Sequence, residues 1–127
     1  MRPEDYFKNG KVYVWKEKFS IVKSKRPIRD AFAVIRDKNE ITVIAEESKI
    51  DPEDVIERED DWRIITFDMV LPFELVGFLA KVSQALAEEG ISIFAVSAYS
   101  TDHILVKEED LKKAVKKLEE LGCVVEE

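Results

Sequence analysis

The stretch "WRIITFDMVLPFELVGFLAKVSQALAEEGISIFAVSAYSTDHILVKEEDLKKAVKKLEELG", Trp62 to Gly122, decides the fold. It opens on a strand rich in β-branched and aromatic residues, Trp62 to Met69, which Pro72 stops from continuing as an inner strand. From Leu75 to Glu89, Leu75, Phe78, Leu79, Val82 and Leu86 recur at the three-and-four spacing of an amphipathic helix, and Gly90 supplies a left-handed cap. Strands Ile91 to Ala98 and Asp102 to Lys107 follow. A second helix is marked by Leu111, Ala114, Val115, Leu118 and Leu121 and stopped by Gly122, before the short strand "CVVE". The order βαββαβ predicts an α+β, ferredoxin-like unit: an antiparallel sheet with both helices on one face.

Working outward, the first half carries fewer helical signals. "VYVW" and "FSIVK" read as strands, and "AFAVIRD" and "EITVIAEE" as a hairpin across Lys38-Asn39. Asp51-Pro52 reads as cap and first residue of a short helix. The interval from Lys23 to Ala31 is too short for a full first helix. A shift of 62 residues lays "FAVIRDKNEITVIAEES" over "FAVSAYSTDHILVKEED" with five identities in 17, which predicts duplication with a truncated first unit. The expected domains are residues 1–60, a truncated unit with an N-terminal extension, and 61–127, a complete one.

Composition narrows the function classes. A chain of 127 residues that is 46% hydrophobic suits one domain or two small ones. No apolar run reaches the ~18 residues of a membrane span, and the charged start has no signal-peptide centre, so the expectation is a soluble cytoplasmic protein. One cysteine, Cys123, excludes an intrachain disulfide and agrees with a reducing compartment. Charged residues make up 37% of the chain, a level common in thermophile proteins. The net charge of −7 disfavours nucleic acid and anionic membranes as partners. The basic run Lys23 to Arg29 reads as a solvated loop.

Catalysis finds little support. Asp102 and His103 are consecutive on a strand and point to opposite faces, so they do not make a dyad. One histidine and one cysteine about 20 residues apart give no metal site, and Gly10, Gly77, Gly90 and Gly122 are too scattered for a phosphate loop. No catalytic residue, metal or cofactor is expected. Phe67, Phe73, Phe78 and Phe94 fit a core under the helices.

The Trp62–Gly122 stretch resembles an ACT domain, a small-molecule regulatory module of amino-acid metabolism. The branch it is most similar to is that of short prokaryotic tandem-ACT proteins related to the eukaryotic cytosolic arginine sensor. The likeness covers about residues 19–127, with "AFAVIRDKNEITVIAEE" resembling a trimmed first unit. Members more usually read Ser-Thr-Tyr-x-Thr-Asp-Tyr in the second hairpin, so Ala98 and His103 depart from the pattern.

The resemblance implies a free amino acid held between two ACT units of a homodimer that regulates an enzyme. The loop Pro72, Phe73, Glu74, Leu75, Val76, Gly77 would contribute, with Ser92 and Ile93 after the helix and Asp102 at the hairpin. The helix N-terminus suits an α-carboxylate. Asp102 suits the α-ammonium, Gly77 permits close approach and Tyr99 walls the pocket. Leu75 stands where the arginine sensor places an acidic residue, with Glu74 beside it, so an apolar or small amino acid fits as readily as arginine. On the residues alone, Asp102 reads more readily as serving the hairpin turn or pairing with a lysine. An interaction module with no small ligand is the alternative.

Overall fold

The computed structural model describes residues 2–127. The chain forms two compact units, Met1–Lys16 with Arg63–Glu127, and Glu17–Trp62. The elements are α1 (Pro3–Phe7), β1 (Lys11–Val14), β2 (Phe19–Ser24), β3 (Ala33–Arg36), β4 (Ile41–Glu46), β5 (Val55–Phe67), α2 (Phe78–Glu88), β6 (Phe94–Ser97), β7 (Asp102–Lys107), α3 (Leu111–Glu120) and β8 (Val124–Glu126).

In the first unit the α+β reading holds, with one addition. β6 pairs with β7, and β7 pairs with β5, whose last residues pair antiparallel with β1 through Val12↔Phe67 and Val14↔Ile65. β1 then pairs in parallel with β8, Val12 facing Val125, so the extension strand is inserted between the first and last strands of the βαββαβ set. Residues 2–16 group with the second half of the chain and not with Glu17–Trp62. The "VYV" strand belongs with the second half because Val12 and Val14 fill the apolar face between β5 and the helices. That face carries Val12, Val14, Ile65, Phe67, Ile104 and Val106, and α2 and α3 cover it with Phe78, Val82, Leu86, Leu111, Val115 and Leu118. Phe78 ties three elements together, stacking on Phe7 at 5.1 Å and meeting the edge of Phe67 at 5.3 Å.

The second unit has no α-helix. β2 pairs antiparallel with β4 and with the first part of β5, and β3 adds to β4. Asp51 caps the following segment by accepting from the Glu53 N–H at 3.0 Å, but the result is a single 3-10 turn, Pro52–Asp54. Val22, Val43, Ala45 and Ile50 form a small core, over which loop residues Ile28 and Ala31 pack where a helix would otherwise lie.

The two hairpins repeat, but not in the register that the identities suggest. β3, β4 and the 3-10 turn Glu47–Lys49 map onto β6, β7 and Glu108–Asp110 with every boundary displaced by 61 residues, not 62. The pair Ala33↔Ile44 becomes Phe94↔Leu105, and both second strands bury their third to fifth residues. A one-residue slip turns every side chain to the other face. Phe32 is therefore equivalent to Ile93 and not to Phe94, and Asp102 to Ile41 and not to Glu40.

Candidate functional site

The loop from Asp68 to Gly77 folds back on the turn between β6 and β7. Leu71 N–H donates to Ser100 O at 2.9 Å, while Ala98 N–H closes the turn on Thr101 O at 2.9 Å and Leu75 N–H closes the loop on Pro72 O at 3.0 Å. Phe73 and Tyr99 meet edge to face at 4.9 Å, although each ring is more than 70% exposed. Between loop, turn and α2 lies an open cleft of about 400 Å³.

Gly77 introduces α2 in the left-handed region, φ +89°, where a side chain would be strained; a β-carbon there would meet only Pro3 at 3.7 Å. Its requirement is conformational rather than steric. The first intrahelical bond is Lys81 N–H to Gly77 O at 3.0 Å, and α2 has neither a side-chain cap nor an acidic residue in its first turn. The N–H groups of Phe78, Leu79 and Ala80 thus precede the helical ladder, at the positive end of the helix dipole and beside the cleft.

Across from them, Asp102 starts β7 opposite Ser97. It is half-buried and is the one charged side chain lining the cleft, and its carboxylate makes no hydrogen bond or ion pair among the described residues. His103, on the other face of β7, is held differently. Its Nδ1 lies 2.8 Å from Thr66 Oγ1 and its Nε2 3.4 Å from Thr101 Oγ1. Trp15 Nε1 donates to the same Thr66 hydroxyl at 2.8 Å. An indole only donates, so the buried Thr66 hydroxyl accepts there, and the direction of its bond with Nδ1 follows the imidazole tautomer. Burial lowers the His103 pKa, against an opposing pull from Asp102.

Of the residues expected from sequence, the cleft brings together Pro72, Phe73, Leu75, Gly77, Tyr99 and Asp102. Glu74 and Val76 belong to the loop and are exposed, and Ser92 and Ile93 precede β6, all four outside the cleft lining. Leu71, Ser97, Ser100 and Thr101 were missed. The loop-to-turn bond that places Leu71 and Ser100 runs through main-chain atoms and leaves no side-chain signal. Among the described residues no cluster of His, Cys, Asp and Glu suits a metal, and no helix is long and apolar enough to cross a membrane.

Residues 57–120 match the ACT domain family, and this span is more than half of the chain. The protein belongs to the ACT domain family, whose members are typically small-molecule-binding regulatory domains. Among solved structures, a protein from Agobacterium tumefaciens superposes with a TM-score of 0.77 at 22% identity, covering 94% of this chain and 95% of the other. A protein of unknown function from Vibrio cholerae gives 0.75 at 23%, covering 91% and 92%. The regulatory subunit of aspartate kinase from Thermus thermophilus gives 0.64 at 13%, covering 87% and 95%. At these identities the likeness is one of fold. Among curated proteins, none matches the chain in sequence.

Proposed function

We propose that this chain is a non-enzymatic, cytoplasmic regulatory protein that binds a free amino acid at an interface between ACT units of a homodimer. Binding would switch the arrangement of its domains or subunits, and a separate enzyme of amino-acid metabolism would receive the signal. The observation that carries this reading is the pairing, in one cleft, of an unpartnered half-buried carboxylate with a helix N-terminus that has no cap. A free amino acid is a zwitterion with one group for each. Asp102 would take the α-ammonium, the N–H groups of Phe78 to Ala80 the α-carboxylate, and Leu75, Phe73 and Tyr99 the side chain. The open side of the cleft leaves room for a second unit to close it, which is how the ligand would favour one arrangement over another. The first hairpin preserves the outline of a trimmed ACT unit, which supports a tandem ancestry.

The test is a thermal-shift screen against the twenty amino acids, repeated on Asp102→Asn. A ligand at 100 times its dissociation constant adds about 2.7 kcal/mol to the folded state. The expected result is stabilisation by one chemical class of amino acid, lost in the variant and absent for the matching keto acid and amine, each of which leaves one buried partner unpaired. A second reading has its own observation: Val70, Phe73 and Val76 of the loop and Tyr99 of the turn are exposed apolar side chains, as a protein-docking surface would present. A flat screen with folded, ligand-free protein would select that reading and discard the sensor.

A further inference from the structure

The cleft has a wall that the two α-groups of a bound zwitterion do not use, and its chemistry is one-sided. Asp102 is the one charged side chain of the lining, so no lysine or arginine lines it. Lys81, one turn into α2, is held by Glu4 at 3.5 Å and lies outside the lining. The main-chain acceptors of the turn are already engaged, Ser100 O by Leu71 N–H and Thr101 O by Ala98 N–H, each at 2.9 Å. Thr101 Oγ1 lies 3.4 Å from His103 Nε2. The rest of the wall is largely apolar, with Leu71, Phe73, Leu75, Leu79 and Tyr99 as its bulky members. The hydroxyls of Ser97 and Ser100 also line it, and neither carries a charge.

A count of charges sorts the free amino acids. With Asp102 on the α-ammonium and the α2 N-terminus on the α-carboxylate, both charge partners are used. A lysine or arginine side chain would bring a second cation to a single carboxylate. An aspartate or glutamate side chain would bring a second anion to a wall that has no cation. Either leaves a charge without water or partner once the cleft closes. The net charge of −7 adds to the penalty on an acidic side chain.

Size sorts the remainder. Phe73 and Tyr99, with ring centroids 4.9 Å apart and ring planes at 80°, are 73% and 82% exposed, and both line the cleft. A bulky apolar side chain laid against them takes ring surface out of water, whereas the side chain of glycine or alanine leaves the rings wet. The volume of about 400 Å³ is ample for such a side chain beside the charged head.

We infer that the ligands of this site are free amino acids with a large, uncharged, apolar side chain, aromatic or branched aliphatic, and that Phe73 and Tyr99 select them. The inference rests on the amino-acid reading of the cleft and narrows it, setting aside arginine, the acidic amino acids and the small ones. Charge excludes through the missing partner. Size discriminates by degrees, each buried methylene being worth roughly fourfold in affinity.

Isothermal titration calorimetry of the full chain with phenylalanine, leucine, alanine, arginine and aspartate tests this. Phenylalanine and leucine are expected to bind more than tenfold tighter than alanine or aspartate, and severalfold tighter than arginine. Phe73→Ala and Tyr99→Ala alter exposed side chains, so the fold is retained, and each should weaken leucine severalfold more than alanine. Tyr99→Lys supplies the missing cation and should narrow the gap between leucine and aspartate severalfold. Val70→Ser, exposed but outside the lining, should leave every affinity unchanged. Alanine, arginine or aspartate binding as tightly as leucine would overturn the inference and leave the amino-acid reading in place. The same holds for ring variants that weaken leucine and alanine equally, or a Tyr99→Lys variant whose leucine-to-aspartate gap is unchanged. A native chain that binds none of the twenty amino acids would overturn both.

Discussion

The hairpins β3–β4 and β6–β7 have the same strand lengths, the same pairing register and the same 3-10 turn after them, yet they do different work. At equivalent positions, Ile41 stands for Asp102, Thr42 for His103 and Lys38 for Tyr99. The turn of the first hairpin satisfies itself, Asp37 accepting from Asn39 and Glu40 N–H at 2.8 and 2.9 Å. The turn of the second offers Ser100 O to an incoming loop, which brings a helix N-terminus with it. A hairpin is thus only half of a site. The cleft exists where a strand-to-helix loop lands on the turn, and the unit without α-helices has no such loop to land.

The largest expected difference lies beneath the two hairpins. Ile104 and Val43 are equivalent, both fully buried, but Ile104 is packed between sheet and two helices, whereas Val43 lies under a loop. Ile104→Ala should cost about 3–4 kcal/mol, a transfer loss plus a cavity that the helices cannot close. Val43→Ala removes fewer atoms from a site where Ile28 and Ala31 can settle inward, and should cost about 1–2 kcal/mol. Urea denaturation of the two variants measures both. Equal losses would mean that the loop packs as rigidly as a helix, and the comparison would fail.

A smaller difference is one of pH. Thr42 cannot titrate, while the folded-state pKa of His103 is lowered by burial from its ordinary 6.5. The unfolded chain then binds the proton more readily. The contribution is fully present above about pH 6.5 and is lost as the pH falls through the lower folded-state value. Giving the second hairpin the residue of the first, His103→Thr, should flatten the fall in stability between neutral and mildly acid pH relative to the native chain. Thermal melts over that range would show it, and parallel curves for the two proteins would place the acid sensitivity elsewhere.

These contrasts also explain what the sequence could and could not disclose. The helix positions were legible because Phe78, Val82 and Leu86, and Leu111, Ala114, Val115 and Leu118, lie on stripes that both periodicity and burial respect. Even so, α2 begins at Phe78 and not at Leu75, because the chain before it is committed to the turn at Pro72 and the left-handed Gly77. The place of β1 was not legible: an apolar alternation says that a strand exists, not which distant edge it joins. The repeat was visible but off by one, since apolar runs such as "FAV" match themselves in either register and only pairing decides. For the cleft, Asp102 and the Pro72–Gly77 loop could be anticipated from the ACT likeness. Ser92 and Ile93 come from the same likeness and lie outside the cleft lining.

The smallest expected effect tests whether the first turn is closed by its own carboxylate. Asp37 is fully solvent-exposed, and hydrogen bonds from Asn39 N–H and then Glu40 N–H hold its pKa below the usual carboxylate value of 3.8. A carboxylate whose folded-state pKa is depressed adds stability above its unfolded pKa and loses it as the pH falls through the folded value. The sign is therefore opposite to that of a group with a raised pKa, and the window lies in acid, below the usual carboxylate value. Asp37→Ala should free both N–H groups, speed their amide exchange at neutral pH and leave β6–β7 exchange untouched. If protection at Asn39 and Glu40 survives the substitution, the β3–β4 ladder alone closes this turn. The two hairpins would then differ only in what reaches them and not in how each is closed.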